Sequence, residues 1–270
     1  MANTLSLADK AEQVQIGDMH VNRLGLGTNR ITDTNEARTL LKRAVELGVN
    51  FIDTAHTYQG GASETTIGRT LAPYPKGVLI ATKGGMNGAS PEQLRADLED
   101  SLQRLKIDCI DLYQLHRVDP AIPLETTLST MKQFQDEGKV RYIGLSEVNV
   151  KQIEQAQQIV PIVSVQNEYN LAKRQHEDVV DYCTEHGIIF IPWFPLGGLR
   201  GDTAKVNSLT EDLAKKHQAT PQQIALAWLL VRSPLMLPIP GTLSIEHLVS
   251  NLQAALIELS QADYQSLYNA

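Results

Sequence analysis

The sequence contains few cysteines and no metal-binding cluster of histidines. Cys109 and Cys183 are its only two cysteines, which are too few for a disulfide framework and are not spaced like metal ligands. We expect both to be buried thiols. No His-x-His or His-Glu-x-x-His cluster is present, so the sequence predicts no metal site.

Long apolar runs and basic clusters are also missing. The longest apolar stretches, 188–191 and 224–231, are far shorter than the ~20 residues that cross a bilayer. Residues 1–10 do not have the pattern of a signal peptide. The 24 Lys and Arg residues against 31 Asp and Glu residues give a net charge of −7, without a basic stripe. We expect a cytoplasmic protein that binds neither membrane nor nucleic acid.

Eight short apolar runs alternate with amphipathic segments, which is typical of parallel strands covered by helices. A hairpin around Gly17 and Asp18 precedes them. The runs cover residues 23–27, 49–53, 77–81, 109–115, 140–145, 161–165, 187–192 and 235–239. The helical segments cover residues 35–47, 90–105, 126–137, 150–158, 175–186, 221–231, 245–257 and 262–268.

Boundary residues support these helices. Ser90 is suited to an N-cap with Pro91 in the first turn, and Gly48 and Gly138 stand where a left-handed residue ends a helix. Eight strand-helix units in one chain of this length predict an α/β fold. We expect a (β/α)8 TIM barrel with an N-terminal β-hairpin, formed as a single domain by residues 1–270.

A doubly wound sheet is the competing architecture, because it also alternates strands and helices. Its first strand should end in a G-x-G-x-x-G turn, with an acidic residue about 20 positions later. The first run here ends in Gly25-Leu26-Gly27-Thr28 instead, and no acidic residue about 20 positions later stands at the end of a second predicted strand. The barrel is therefore favoured.

Chemistry in a (β/α)8 barrel lies at the carboxyl ends of the strands. Asp53, Lys83 and His116 end three successive predicted strands, and Tyr58 lies in the loop after Asp53. Because a buried lysine is costly unless it is paired, we expect Lys83 to contact the carboxylate. A cationic Lys83 near the Tyr58 hydroxyl is expected to lower the pKa of Tyr58 and make it a general acid.

These residues also carry a resemblance. The stretch from Asp53 to Tyr58, followed by Ser63-Glu64 and Gly68, resembles the D-T-A-x-x-Y…S-E…G signature of the aldo-keto reductase family. Nearly the whole chain is similar to that family, in order and spacing. The further matching segments are 81–83, 111–116, 143–146, 165–169, 195–197 and 239–242.

The resemblance implies a metal-free barrel enzyme that reduces small aldehydes or ketones with NADPH, with NADH as a possible cofactor. It implies that Tyr58 donates the proton to the carbonyl oxygen and that Lys83 and Asp53 set its pKa. His116 would orient the carbonyl. Tyr58, His116 and His56 would face the substrate.

The resemblance also implies a set of cofactor contacts. Ser146 and Gln166 match the positions that bind the carboxamide, Trp193 matches the aromatic residue that stacks on the nicotinamide, and residues 194–198 match the loop over the pyrophosphate. The cofactor set is Gly27, Thr28, Asp53, Ser146, Gln166, Trp193, Phe194, Pro195, Leu196, Gly197, Gly198, Gly241, Thr242, His247 and Asn251.

Several positions depart from the family pattern. Glu147 stands where many relatives have Asn, and Gly241 and His247 replace a Lys and an Arg that bind the 2′-phosphate in many NADP-specific members. A neutral histidine is a weaker phosphate partner than a guanidinium group. Arg200 could supply positive charge, although a solvated loop arginine is the simpler interpretation. NADPH remains the favoured cofactor, with dual specificity open.

The substrate is less constrained than the chemistry. A short loop follows His116, which favours small carbonyl compounds. The segments 165–170, 194–198 and 225–230 resemble those of bacterial reductases that include pyridoxal reductases. Pyridoxal is thus a candidate substrate, with His56 and Arg117 near its polar ring substituents. Two rival functions are a cofactor-sensing regulatory subunit with little turnover and a metal-dependent hydrolase built on Asp53, His56 and His116. The core-like spacing of apolar residues favours a monomer.

Overall fold

A curled parallel sheet forms the centre of the computed structural model, which describes residues 7–198 and 202–270. Within those residues the sheet has seven strands in the sequential order β3 to β9. A separate antiparallel hairpin, β1 and β2, precedes it, as predicted. The strands are β1 (Gln13–Ile16), β2 (Met19–Asn22), β3 (Leu26–Gly27), β4 (Phe51–Asp53), β5 (Leu79–Gly84), β6 (Ile110–Leu115), β7 (Val140–Ser146), β8 (Ile162–Gln166) and β9 (Ile189–Phe190).

The eighth predicted strand, 235–239, occupies its expected place without forming a regular ladder. The N–H of Phe190 donates to the carbonyl of Leu235 at 3.0 Å, and the N–H of Gly25 donates to the carbonyl of Pro238 at 3.0 Å. Pro238 has no N–H of its own to donate, so the ladder is interrupted there. The segment joins β9 to the start of the sheet and curls it into a barrel.

Helices follow the strands and cover the outside of the sheet. Every predicted helix forms, with ends that differ by a few residues. None of the helices in the described residues is long and apolar enough to span a membrane. The helices are α1 (Asn35–Glu46), α2 (Ala62–Leu71), α3 (Pro91–Leu105), α4 (Leu124–Asp136), α5 (Val150–Gln157), α6 (Glu177–Glu185), α7 (Thr203–His217), α8 (Pro221–Arg232), α9 (Ile245–Gln253) and α10 (Gln261–Tyr268).

The sequence analysis missed two helices, α2 and α7. Helix α2 buries polar side chains, among them Ser63, Glu64 and Thr66, so its buried face does not read as an apolar stripe. Helix α7 differs, because Val206, Leu209, Leu213 and Ala214 recur on one face and pack on the core. That spacing is a helical signal, and the sequence analysis overlooked it.

The predicted helix boundaries are confirmed where specific residues were named. The Ser90 hydroxyl accepts the N–H of Gln93 at 3.2 Å, and Pro91 is the first residue of α3. Gly48 and Gly138 have φ angles of 89° and 73°, which glycine adopts without a steric cost. These residues stop α1 and α4 and direct the chain into the next strand.

Two clusters of buried apolar side chains form the core of the protein. One lies between the sheet and the helices. The other fills the barrel, where hairpin residues Val14, Ile16 and Val21 pack with inward-facing strand residues such as Phe51 and Leu112. The hairpin thus covers the amino-terminal end of the barrel, and the carboxyl ends of the strands are left to form a site.

The prediction that both cysteines are buried is half correct. Cys183, on α6, is buried as expected. Cys109 is only partly buried, because it precedes β6 at the end of the barrel where the chain enters the sheet from α3.

Candidate active site

A cavity of about 480 Å³ opens at the carboxyl ends of the strands, a size within the usual range for small-molecule sites. Both polar strand-end residues and apolar loop residues line it. They are Gly27, Thr28, Asn29, Arg30, Asp53, Tyr58, His116, Arg117, Ser146, Gln166, Trp193, Phe194, Pro195, Leu196, Gly198, Thr203, Gln222, Ile239, Pro240 and Gly241.

Beneath this cavity lies a buried ion pair between Lys83 and Asp53. Lys83 Nζ donates to Asp53 Oδ1 at 2.7 Å, and each side chain is only 1% exposed. Nζ also donates to the carbonyl of Thr54 at 2.8 Å and to the Tyr58 hydroxyl at 3.2 Å. Burial alone would lower the pKa of Lys83, but Asp53 and Tyr58 outweigh it and raise that pKa. Lys83 is a cation in this site, as the sequence predicts.

The Tyr58 hydroxyl lies against this cation. Tyr58 begins a short 3₁₀ turn that ends at Gly61, and Lys83 Nζ is 4.8 Å from the centre of its ring. Burial raises the pKa of Tyr58, and Lys83 offsets part of that rise. The expected net lowering of this pKa is therefore wrong for the free protein, since desolvation is the larger effect. Tyr58 keeps its proton, as a proton donor must.

His116 directly follows β6 and is buried beside Tyr58. The two rings meet edge to face, with centroids 5.9 Å apart. Burial, together with the positive charges of Lys83 and Arg117, lowers the pKa of His116 to about 2. Its Nδ1 has no hydrogen-bond partner among the described residues. His116 is thus a neutral imidazole that can hydrogen-bond a ligand oxygen.

One amide side chain, one hydroxyl and one arginine complete the polar floor of the cavity. Gln166 Nε2 donates to Asp53 Oδ2 at 2.8 Å, so the second carboxylate oxygen of the ion pair is also held. Arg117 donates to the carbonyl of His116 at 2.6 Å and to Ser146 Oγ at 3.2 Å. The structure therefore brings Ser146 and Gln166 to the same floor as the four predicted catalytic residues.

The loop after β9 and the segment before α9 form the apolar walls. Trp193, the neighbouring residues 194–196 and Gly198 line one wall, while Ile239 and Gly241 line the other. Gly27 pairs with Gly241 in an isolated parallel bridge. A Cβ at Gly27 would lie 2.6 Å from the carbonyl oxygen of Ile239, so only glycine permits this close approach of the two backbones.

Some predicted site residues do not line the cavity. His56 Nε2 lies 3.3 Å from Asp100 Oδ2 and its Nδ1 lies 3.5 Å from Asp97 Oδ1, both on α3. His56 thus lies against α3 rather than in the cavity lining, and its contact with the substrate stays a prediction. The metal site considered on Asp53, His56 and His116 loses one of its three members for the same reason.

Three further predicted cofactor residues, Thr242, His247 and Asn251, are not among the residues that line the cavity. Thr242 is buried and its Oγ1 accepts the N–H of Ser244 at 3.0 Å, which shapes the turn into α9. His247 and Asn251 lie on α9, and Gly197 lies between two lining residues. Arg200 lies outside the described residues.

Sequence reasoning missed several lining residues. Arg30 and Asn29 follow β3 by only a few positions, so a closer inspection of that strand end would have found them. Thr203 and Gln222 come from the starts of α7 and α8. No strand-end signal identifies these two residues, because helices rather than strands bring them to the cavity.

Comparison with known proteins identifies the family. The sequence profile of the Aldo/keto reductase family matches residues 23–270, and the chain belongs to that family. An uncharacterized oxidoreductase of Schizosaccharomyces pombe is 42% identical over 96% of this chain and 90% of its own length. Pyridoxine 4-dehydrogenase of Escherichia coli is 37% identical over 91% of this chain and 93% of its own length. The chain is thus an oxidoreductase of the aldo-keto reductase class.

Solved structures share the fold over nearly the whole chain. A thermostable aldo-keto reductase, Tm1743, in complex with the inhibitor epalrestat has a TM-score of 0.87 and 33% identity, covering 95% of this chain and 98% of that one. An aldo/keto reductase of Klebsiella pneumoniae in complex with NADP and acetate has a TM-score of 0.85 and 29% identity, covering 95% and 94%. These matches confirm the predicted barrel.

The buried ion pair leads to a prediction about stability. Lys83→Met leaves the Asp53 carboxylate buried without its cation, so we expect a loss of about 3–5 kcal/mol in the free energy of unfolding. The double variant Lys83→Met, Asp53→Leu removes both charges and should recover most of that loss. Urea unfolding followed by circular dichroism measures both. Equal losses in the single and double variants would contradict this account.

The neutral state of His116 predicts an acid sensitivity. Its folded pKa of about 2 lies below the ordinary value of about 6.5, so the unfolded chain binds a proton that the folded protein does not. Stability is therefore full above pH 6.5 and falls as the pH drops toward 2. Between pH 7 and pH 5 the wild type should lose about 2 kcal/mol more than His116→Gln. Parallel urea titrations at both pH values test this; equal losses would disprove it.

Proposed function

We propose that this protein reduces small aldehydes or ketones to alcohols with NADPH and that Tyr58 donates the proton. One observation carries the proposal. The Tyr58 hydroxyl, at the cavity, accepts a hydrogen bond from the Lys83–Asp53 ion pair and lies beside the neutral ring of His116. Klebsiella relatives bound to NADP and to NADPH support the choice of cofactor.

The residues present fit a nicotinamide nucleotide. Ser146 Oγ and the Gln166 amide supply hydrogen-bonding groups for a carboxamide, and Trp193 supplies an aromatic wall for a planar ring. Gly198 and Thr203 also line the cavity, and Thr203 begins α7, where a helix N-terminus suits a phosphate group. The bound cofactor supplies the hydride, whereas the protein supplies position and electrostatics.

The proton moves from Tyr58 to the carbonyl oxygen of the substrate. As negative charge develops on that oxygen, the positive charge of Lys83 stabilises the phenolate that the donor becomes. Asp53 holds Lys83 in place, and its own second oxygen is held by Gln166. His116, being neutral, can donate a hydrogen bond to the same carbonyl oxygen without competing for the proton.

A cofactor-sensing role with little turnover is the alternative function. The complete set of four residues favours catalysis over sensing. Hydrogen bonds join Lys83 to Asp53 and Tyr58, and the ring of His116 packs against that of Tyr58. The positions that bind the 2′-phosphate in many relatives give weaker support for NADPH over NADH, because Gly241 and His247 replace a lysine and an arginine there. NADH use is therefore part of the proposal to be tested.

Replacing the donor tests the proposed reaction. Tyr58→Phe removes the transferred proton but none of the groups assigned to the nucleotide, so we expect reduction to slow by about 10²–10⁴-fold while NADPH binding is retained. Loss of absorbance of NADPH and then of NADH with a panel of aldehydes measures turnover. Tyr182→Phe is a matched control, because its hydroxyl bonds Gln157 on the outer surface. Near wild-type turnover by Tyr58→Phe would remove Tyr58 as the acid.

Pyridoxal is the specific substrate we propose to test. The E. coli pyridoxine 4-dehydrogenase is similar over nearly the whole chain, and Arg117 brings a cation to the cavity for the polar substituents of a pyridine ring. We expect a higher kcat/KM for pyridoxal than for benzaldehyde, measured at equal NADPH. A preference for benzaldehyde would reject pyridoxal and leave the reductase proposal standing.

A further inference from the structure

Glu147 has an unusual conformation and an unusual set of contacts. It follows the last residue of β7 and has a φ of 56°. Its Oε1 accepts the indole N–H of Trp193 at 2.6 Å and the backbone N–H of Glu168 at 2.8 Å. A single carboxylate oxygen therefore joins the loops that follow β7, β8 and β9.

The backbone conformation of Glu147 is costly for its residue type. Left-handed φ values are uncommon outside glycine and favour Asn or Asp among the remaining residues. A glutamate held there needs compensation from its surroundings. The two hydrogen bonds to its carboxylate provide that compensation, since bonds to an ionised acceptor are stronger than bonds between neutral groups.

The Trp193 indole needs a partner of this kind. It is half-buried at the cavity wall, and its ring edge meets Phe194 with centroids 4.7 Å apart. The indole N–H is a donor only, so without an acceptor the ring could turn and change the shape of the wall. An isolated parallel β-bridge also pairs the backbones of Glu168 and Trp193, the two residues whose N–H groups bond the Glu147 carboxylate.

We propose that Glu147 is a positioning residue that fixes the ring of Trp193 in the wall of the cavity. The two side chains act as one unit, in which the carboxylate of Glu147 holds the indole N–H of Trp193. No Lys, Arg or His nitrogen of residues 7–198 or 202–270 lies within ion-pair distance of the Glu147 carboxylate. Its charge is therefore directed at the indole and the Glu168 amide.

The indole N–H signal tests the contact without any cofactor. The chain has two tryptophans, Trp193 and Trp228, so a ¹H–¹⁵N spectrum of the full-length protein shows two indole signals, and Trp193→Phe identifies the one from Trp193. We expect that signal to move upfield in Glu147→Ala and to stay near its original position in Glu147→Gln, which retains an acceptor oxygen. Glu168→Gln is the matched control, since its carboxylate contacts Lys173 instead. A Trp193 signal unmoved by Glu147→Ala would overturn the proposal.

A double-mutant cycle tests whether Glu147 and Trp193 act together on nucleotide binding. This step rests on the proposed function. We expect Glu147→Ala to weaken NADPH binding about tenfold, as for the loss of one hydrogen bond to a charged group. In the Trp193→Phe background the same substitution should change binding less than about twofold. Tenfold losses in both backgrounds would show independent residues and reject the pair. If the wild type binds no NADPH, the proposed function fails while the indole signal still decides the contact.

Discussion

The buried ion pair between Lys83 and Asp53 is the constraint on which the rest of the site depends. Taking two charges out of water is expensive unless geometry and further hydrogen bonds offset the cost. The partners that offset it come from the loop after β4 and from β6 and β8, through Thr54, Tyr58, Gln114 and Gln166. Side chains from several strands therefore hydrogen-bond to the same two charged groups. These bonds fix the positions of the strand ends that form the floor of the cavity.

Burial shifts the pKa values of two side chains beside this pair in opposite directions, raising that of Tyr58 and lowering that of His116. Desolvation keeps Tyr58 protonated and keeps His116 uncharged, because each group is held in its neutral form. Lys83 then stands as a cation beside a phenol and close to an imidazole. A donor, a neutral hydrogen-bonding ring and a stabilising charge therefore lie together at one end of the barrel.

Most of the fold could be predicted from local patterns, whereas details of the site could not. Apolar runs and turn residues locate the strands, and strand ends locate Asp53, Lys83 and His116. The direction of His56 depends on carboxylates of α3 that lie more than 40 positions away. The sign of the Tyr58 pKa shift depends on how deeply the ring is buried. Both are properties of packing, which spacing along the chain does not encode.

The interrupted ladder at residues 235–241 has a consequence for motion. The barrel is closed there by isolated bridges and single hydrogen bonds rather than by a continuous strand, so the seam has fewer cooperative contacts than the other strand pairs. Gly27 and Gly241 face each other across that seam and also line the cavity. A ligand that contacts both glycines would therefore bridge the two sides of the seam where the barrel closes.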